Sequence, residues 1–369
     1  MKLAELDFPR PQSLQATEPA ELRLGSRDKV KLLVSTPSGH HHSRFANLAN
    51  FLDAGDLLVA NRSATLSASL PAEGIVGSAR PFILNLSTRY SFGTGEAEVW
   101  LAEPRWSYDR PGPLPLKVGE RFRAAGLDAT LLRPHPGMPR LWFVRLEGDV
   151  SAAIQRRGEP IRYGYVEKPY PLSTYQSVFA DTPGAGTGSA EMPSAARPFS
   201  ERVLECLAEK GVGLEKITLH TGVSSLELTE DNIENHTLFA KPFEVTQGVA
   251  DAVNETRARG QRVVAVGTTV VRALESAWDG KKVRSAKGFT RHYVHPGRSV
   301  DAVDGLISGF HDPKASHLAM LYALAGKDLI REAYAEAVKG GYLWHEFGDS
   351  HLILPEKRST HSLIKSHHA

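Results

Sequence analysis

The residues able to do chemistry in this chain are gathered in a set of short polar stretches. They are Asn61; YQSVFA, with Tyr175; PSAARPF, with Ser194, Arg197 and Phe199; and LHTG, with His220 and Gly222. To these are added GTTVVRALES, with Gly267, Thr268, Thr269, Arg272 and Glu275; SGFHDP, with Phe310 and His311; and EFGD, with Gly348 and Asp349. Hydroxyls, imidazoles and carboxylates of this kind suit proton transfer and the hydrogen bonding of a polar ligand. Each stretch also has a plain structural use. His220 and Gly222 can end a strand, Asp349 can bond its own turn, and Arg272 with Glu275 can pair on a helix surface. Other chemistries lack their signatures: there is no Cys/His ligand spacing, no phosphate-binding glycine loop and no G-x-S-x-G elbow. His40, His41 and His42 are adjacent, so in an extended chain they alternate sides and chelate poorly; a solvated turn is expected there, with zinc binding the remote second reading.

The elements that must position these groups are legible. Val263, Val264, Ala265 and Val266 form a short apolar run, the mark of a strand buried on both faces. Val270, Val271, Leu274, Ala277 and Trp278 follow at helical spacing. Gly267 thus sits in a strand-to-helix turn, where it frees the backbone and Thr268 or Thr269 can cap the helix. Such a turn offers amides and a positive helix end to a ligand. Ser200 and Thr246 are placed to cap two more helices, closed by Gly211 and Gly260, and Asp312 and Pro313 suit the N-cap and first position of another. Alternating strands and helices after Asp149 predict an α/β domain. Residues 68–149 instead show short alternating runs broken by turn clusters, an inserted all-β, barrel-like unit. The expected organisation is therefore a discontinuous α/β domain over residues 1–67 and 150–354, with the β unit inserted and residues 355–369 a flexible tail.

The composition is that of a globular protein: 41% hydrophobic and 23% charged residues, with a net charge of +2 that permits a nucleic-acid partner without requiring one. Residues 105–145 carry eight Lys or Arg against three Asp or Glu, which reads as a solvated surface or as a face for a phosphate backbone. The single cysteine, Cys206, excludes an internal disulfide and fits a reducing compartment, hence the cytoplasm. No signal peptide is expected, because Asp and Pro interrupt the N-terminal MKLAELDFPRPQSLQ before any long apolar core, and no membrane span, because no run of about 18 apolar residues occurs.

From about Asp53 to Ile353 the blocks DAGDLLVAN, TYQSVFA, KITLHTG, RVVAVGTTVVRALESAW, YVHPG, ISGFHDP and FGDSHLIL resemble, in order, the S-adenosylmethionine:tRNA ribosyltransferase-isomerases of queuosine biosynthesis. The resemblance implies a mixed α/β domain carrying a β-barrel. It implies S-adenosylmethionine as co-substrate, no metal, and tRNA as partner. It also implies transfer of the ribosyl part onto a 7-aminomethyl-7-deazaguanine base, with adenine and methionine released. Gly267, Thr268, Thr269, Arg272 and Glu275 match the family core, Phe310, His311 and Pro313 its FH-x-P block, and Gly348 with Asp349 its GD pair. On chemical grounds His311 is the expected base, because imidazole titrates near neutrality, with Asp349 as orienting acceptor or alternative base. A buried imidazole bonded to a backbone carbonyl is the competing role for His311.

The chain also departs from the family pattern. PSAARPF stands for PTAGLHF, LHTGVSSL for LHVGAGTF with Ser224 and Ser225 at flexible positions, and SGFHDP for TNFHLP. Of a paired-histidine block His236 remains, while Phe239 replaces the second histidine and Lys241 an acid. These changes leave two other outcomes open: the same donor used with a small-molecule acceptor or simply cleaved, and an RNA-binding scaffold without catalysis. A monomer or small homo-oligomer is expected.

Overall fold

The computed structural model describes residues 1–74, 81–90, 97–181, 187–223, 228 and 230–355. The tail after Pro355, and Ser224 and Ser225, lie outside the described residues. The strands are β1 (Lys31–Thr36), β2 (Gly39–Arg44), β3 (Leu57–Asn61), β4 (Ser69–Glu73), β5 (Phe82–Arg89), β6 (Ala97–Arg105), β7 (Arg121–Ala124) and β8 (Leu127–His135). They continue as β9 (Met138–Glu147), β10 (Gly213–Leu219), β11 (Lys241–Val245), β12 (Val263–Val266), β13 (Ala286–Thr290), β14 (Gly305–Gly309) and β15 (Ser350–Ile353). The α-helices are α1 (Ala20–Leu24), α2 (Val150–Arg157), α3 (Glu201–Glu209), α4 (Gln247–Ala258), α5 (Thr268–Ser276), α6 (Ser316–Ala325) and α7 (Lys327–Lys339).

Two β systems result. A nine-stranded mixed sheet runs in the order β13-β11-β10-β3-β12-β14-β15-β1-β2, and β4 to β9 close into an antiparallel barrel inserted after β3. In the middle of the sheet β10, β3, β12 and β14 are mutually parallel, with Leu57 opposite both Gly213 and Val263 and Val264 opposite Gly305. β3 and β12 are buried at every position, as their unbroken apolar runs require. Barrel strand β7 instead alternates exposed and buried residues, because only one face of a barrel wall meets its core.

At the N-terminal ends of β3 and β12 the fully buried Asp56 acts as a staple. Its carboxylate accepts the Arg262 amide at 3.0 Å, the Asp53 amide at 2.9 Å and the Arg262 guanidinium at 2.6 and 2.9 Å. The barrel meets the sheet at Gly222, where a Cβ would stand 2.3 Å from Ser87 Oγ on β5 and 2.9 Å from the Phe239 ring. That approach is open to glycine and to little else.

Several local expectations are corrected. Ser200 and Thr246 do cap α3 and α4. Asp312 does not cap α6, which starts at Ser316 behind Ala315 with no capping side chain. Its carboxylate is bound instead by Arg10 at 3.0 Å and His345 at 2.9 Å, and a charged partner outcompetes a free amide. The three adjacent histidines form β2 rather than a turn. His40 Nδ1 bonds Ser35 Oγ at 2.9 Å and His42 Nδ1 bonds Tyr342 OH at 2.8 Å, so pairing with β1 overrides local polarity. In the basic barrel segment, Arg105 and Arg140 pair with the buried Glu103, Arg123 with Asp128 and Arg145 with Glu147. Among the described residues no helix is long and apolar enough to cross a membrane.

Asp56→Ala strips two backbone amides of their acceptor and leaves the Arg262 guanidinium with Asp53 alone, so unfolding free energy should fall by about 1–3 kcal/mol. A loss below about 1 kcal/mol in denaturant titrations would show that the two strands do not depend on the staple.

Candidate active site

The parallel strands β3, β10, β12 and β14 all end at one edge of the sheet, and a cavity with a volume of about 490 Å³ lies there. After β12, Gly267 takes a φ of +98°, which turns the chain directly into α5, and Gly267, Thr268 and Thr269 line the cavity. Neither threonine caps the helix; Thr269 Oγ1 instead accepts a long 3.4 Å bond from Asn61. The first turn of α5 thus meets the cavity, through Thr268 and Thr269, without a capping side chain.

From the last two residues of β14 onward, Ser308 to Asp312 all line the same space. Phe310 is an anchor, stacked on His351 with centroids 5.4 Å apart and packed on Trp344 at 4.9 Å. His311 is held through its backbone, its amide donating to Tyr334 OH at 3.1 Å and its carbonyl accepting from Trp344 Nε1 at 3.0 Å. Its Nε2 meets Ser308 Oγ at 2.7 Å, and its ring stacks on His317 at 4.7 Å. Burial depresses its pKa to about 4 although Asp312 opposes the shift. The expectation of an imidazole titrating near neutrality is thus corrected: His311 is a neutral ring at physiological pH, bonded to a hydroxyl and not to a backbone carbonyl.

Facing this edge is a wall that the sequence did not announce. Tyr163 stacks near Tyr165, and Tyr165 stacks on His345 with centroids 4.8 Å apart. Tyr163 OH also donates to Glu191. Beside them Glu346 has one carboxylate oxygen buried without a hydrogen-bond partner. Burial, reinforced by the charge of Glu191 and opposed by Arg197, raises its pKa to about 8. The cavity therefore combines aromatic faces, an acidic patch and a helix start. Among the described residues no group of three or more His, Cys, Asp or Glu is placed to hold a metal ion.

The remaining predicted residues divide. Ser194 lines both the main cavity and a smaller cleft beside it, which Arg197, Gly348 and Asp349 also line. Asp349 does not orient His311. Its two oxygens accept the amides of Lys31 at 2.7 Å and Leu343 at 2.8 Å, so it fastens β1 to the segment before β15. Arg197 is engaged by Glu21 at 2.7 Å and the Thr174 carbonyl at 3.1 Å, over the Phe347 ring. Phe199 is a core residue between Phe45 and Phe179, and Tyr175 is buried against Phe347. Asn61 spends its amide on both backbone groups of Leu219, at 2.8 and 3.1 Å, and His220 Nδ1 bonds Ser63 Oγ at 2.7 Å. Gly222 serves the barrel contact. Arg272 and Glu275 are buried and do not pair: Glu275 accepts the Ala302 amide at 2.7 Å, and Arg272 lines a second cavity with His236. The departures Phe239 and Lys241 fall in that second cavity, not in the main one.

Sequence reading missed Tyr163, Tyr165, Glu191, His317 and His345, and it quoted Glu346 within EFGD without giving it a role. The one available signal was the neighbourhood of His345 and Glu346, which stand immediately before the FGD stretch.

Comparison with known proteins agrees with this geometry. Residues 3–353 match the family model described as "Queuosine biosynthesis protein". The chain is similar to the S-adenosylmethionine:tRNA ribosyltransferase-isomerase of Halothermothrix orenii, 34% identical over 96% of this chain and 100% of the relative. It is likewise similar to that of Rubrobacter xylanophilus, 37% identical over 97% and 99%. Among solved structures it is similar to the S-adenosylmethionine tRNA ribosyltransferase of Thermotoga maritima, with a TM-score of 0.52 and 27% identity, covering 95% of this chain and 100% of that one. With its mixed sheet, inserted barrel and matched sequence from end to end, the chain belongs to the queuosine biosynthesis protein family.

Proposed function

We propose that this chain is an S-adenosylmethionine:tRNA ribosyltransferase-isomerase. It moves the ribosyl part of S-adenosylmethionine onto a 7-aminomethyl-7-deazaguanine base of tRNA and releases adenine and methionine, acting in the cytoplasm. The observation that carries this reading is the match between the donor and the main cavity. Its volume of about 490 Å³ lies in the range of nucleoside-sized sites. The tyrosine and histidine rings offer stacking faces for a purine, and Glu346 with Glu191 offers negative charge to a sulfonium and an ammonium.

The sulfonium acidifies the adjacent C–H, so the base that removes this proton can be weaker than an ordinary deprotonation demands. His311, neutral and tethered at both backbone groups, is the residue for that step, with Ser308 setting the ring's orientation. Glu346 is the counter-ion. Empty, the cavity resists its ionisation; a bound cation reverses that, since an opposite charge nearby favours the charged form. The main cavity keeps these groups despite the changes at Phe239 and Lys241, which favours catalysis over a purely RNA-binding role.

Pure protein with S-adenosylmethionine should release adenine when tRNA carrying the modified base is present and not in its absence. Adenine without tRNA would replace the acceptor by a small molecule or by cleavage, and none at all with tRNA still bound would reduce the chain to a binding module. His311→Ala, folded by circular dichroism, should lose at least about 100-fold in adenine release; an unchanged rate removes it as the base. Because binding the cation must ionise Glu346, affinity for S-adenosylmethionine should rise with pH up to about 8, with a proton released. Calorimetry in buffers of different ionisation enthalpy reads that proton, and Glu346→Gln should bind more weakly with no proton released. A Glu346→Gln variant matching the wild type in both respects refutes the counter-ion role.

A further inference from the structure

The second cavity is small, about 20 Å³, and adjoins the main one through His317, which lines both. Two cations face it. Lys241 on β11 and Arg272 on α5 are each only 6% exposed. Among the described residues no carboxylate lies within ion-pair distance of either, and Arg272 Nε is buried with no hydrogen-bond partner. Lys241 Nζ lies 4.9 Å from the centre of the Phe239 ring, a contact that offsets part of its desolvation but supplies no hydrogen-bond acceptor. The third contributor is the start of α6. Ser316 and His317 line the cavity, and the ten-residue helix has no capping side chain, so the positive end of the helix lies at this place.

We propose that Lys241, Arg272 and the first turn of α6 form a subsite for an oxyanion, a carboxylate or phosphate group borne by the ligand of the main cavity. A guanidinium keeps its charge at any physiological pH, so proton loss cannot relieve this arrangement at Arg272. Two buried like charges without an ion-pair partner are costly, and both are relieved together by one bound oxyanion, which accepts charge-assisted bonds from each. In keeping with this, burial and the neighbouring Arg272 bring the pKa of Lys241 down to about 7 when no anion is present. His236 and His317 also face the space. Burial is the main cause that holds both below the usual imidazole range, so they enter as neutral hydrogen-bonding rings. The carboxylate of Glu191 acts on Lys241 through space from the main cavity without forming an ion pair with it. With about 20 Å³ of free space the cavity has no room for a nucleoside.

Which oxyanion enters rests on the function proposed above: the methionyl carboxylate of S-adenosylmethionine, or a backbone phosphate of tRNA. The subsite itself is tested independently by inorganic phosphate. Thermal melting of the wild type, Lys241→Met and Lys241→Glu should show that phosphate raises the melting temperature of the wild type alone. In phosphate-free buffer Lys241→Met should melt above the wild type, having lost an uncompensated buried charge, and Lys241→Glu supplies Arg272 with an internal partner. Equal phosphate shifts in all three proteins, or a shift in none, overturn the proposal. The source is then read by binding. A loss of about tenfold or more for S-adenosylmethionine in Lys241→Met, with no loss for its decarboxylated analogue, assigns the carboxylate. A loss for tRNA with the salt dependence reduced by about one charge assigns a phosphate. If phosphate stabilises the wild type selectively while neither S-adenosylmethionine nor tRNA binds, the subsite stands and the transferase reading fails.

Discussion

A charge taken out of water must find a partner, and this constraint organises the molecule. Asp56 finds its partners within the chain, and in doing so ties the starts of β3 and β12 together at the edge of the sheet opposite the cavity. Asp349 does the same at the cavity edge with two backbone amides. Glu346, Lys241 and Arg272 do not find partners of this quality, and all three line cavities. Satisfied buried charges mark the frame; unsatisfied ones mark where a ligand completes the structure.

The two cavities have opposite electrostatic character. The main one carries carboxylates beside aromatic rings, and the smaller one carries a lysine and an arginine at a helix start. A zwitterionic donor with a sulfonium at one end and a carboxylate on a flexible arm presents the complementary arrangement. His317 lines both spaces and stacks on His311, so the neutral imidazoles sit where the two fields meet. Neutral rings there avoid adding a third positive charge to Lys241 and Arg272, and burial keeps them so.

The barrel contributes to this by position. It leaves the sheet after β3 and returns before α2, and Gly222 lets β5 approach the segment after β10 closely enough for Ser87 to bond the Val223 amide at 3.0 Å. Phe239, buried at that same contact, and Met138 at the start of β9 close one side of the smaller cavity. Thus Phe239 both lines the smaller cavity and packs at the junction between the two β systems.

By itself the sequence determined the α/β sheet, the inserted barrel, the caps at Ser200 and Thr246, and the Gly267 turn, because these follow from periodicity and backbone chemistry within a few residues. It also carried the family and placed Thr269 and His311 at strand ends. What it could not carry was the pairing of distant groups. Phe199 and Tyr175 lie in polar blocks yet fill cores, and Asp349 answers to amides of Lys31 and Leu343. Tyr163, Tyr165, Glu191 and Glu346 reach the cavity from loops whose spacing records nothing of their destination. The proton affinity of His311 likewise was settled by tertiary burial, since a pKa depends on the dielectric and charges brought around a group by folding, and residue type alone does not supply them.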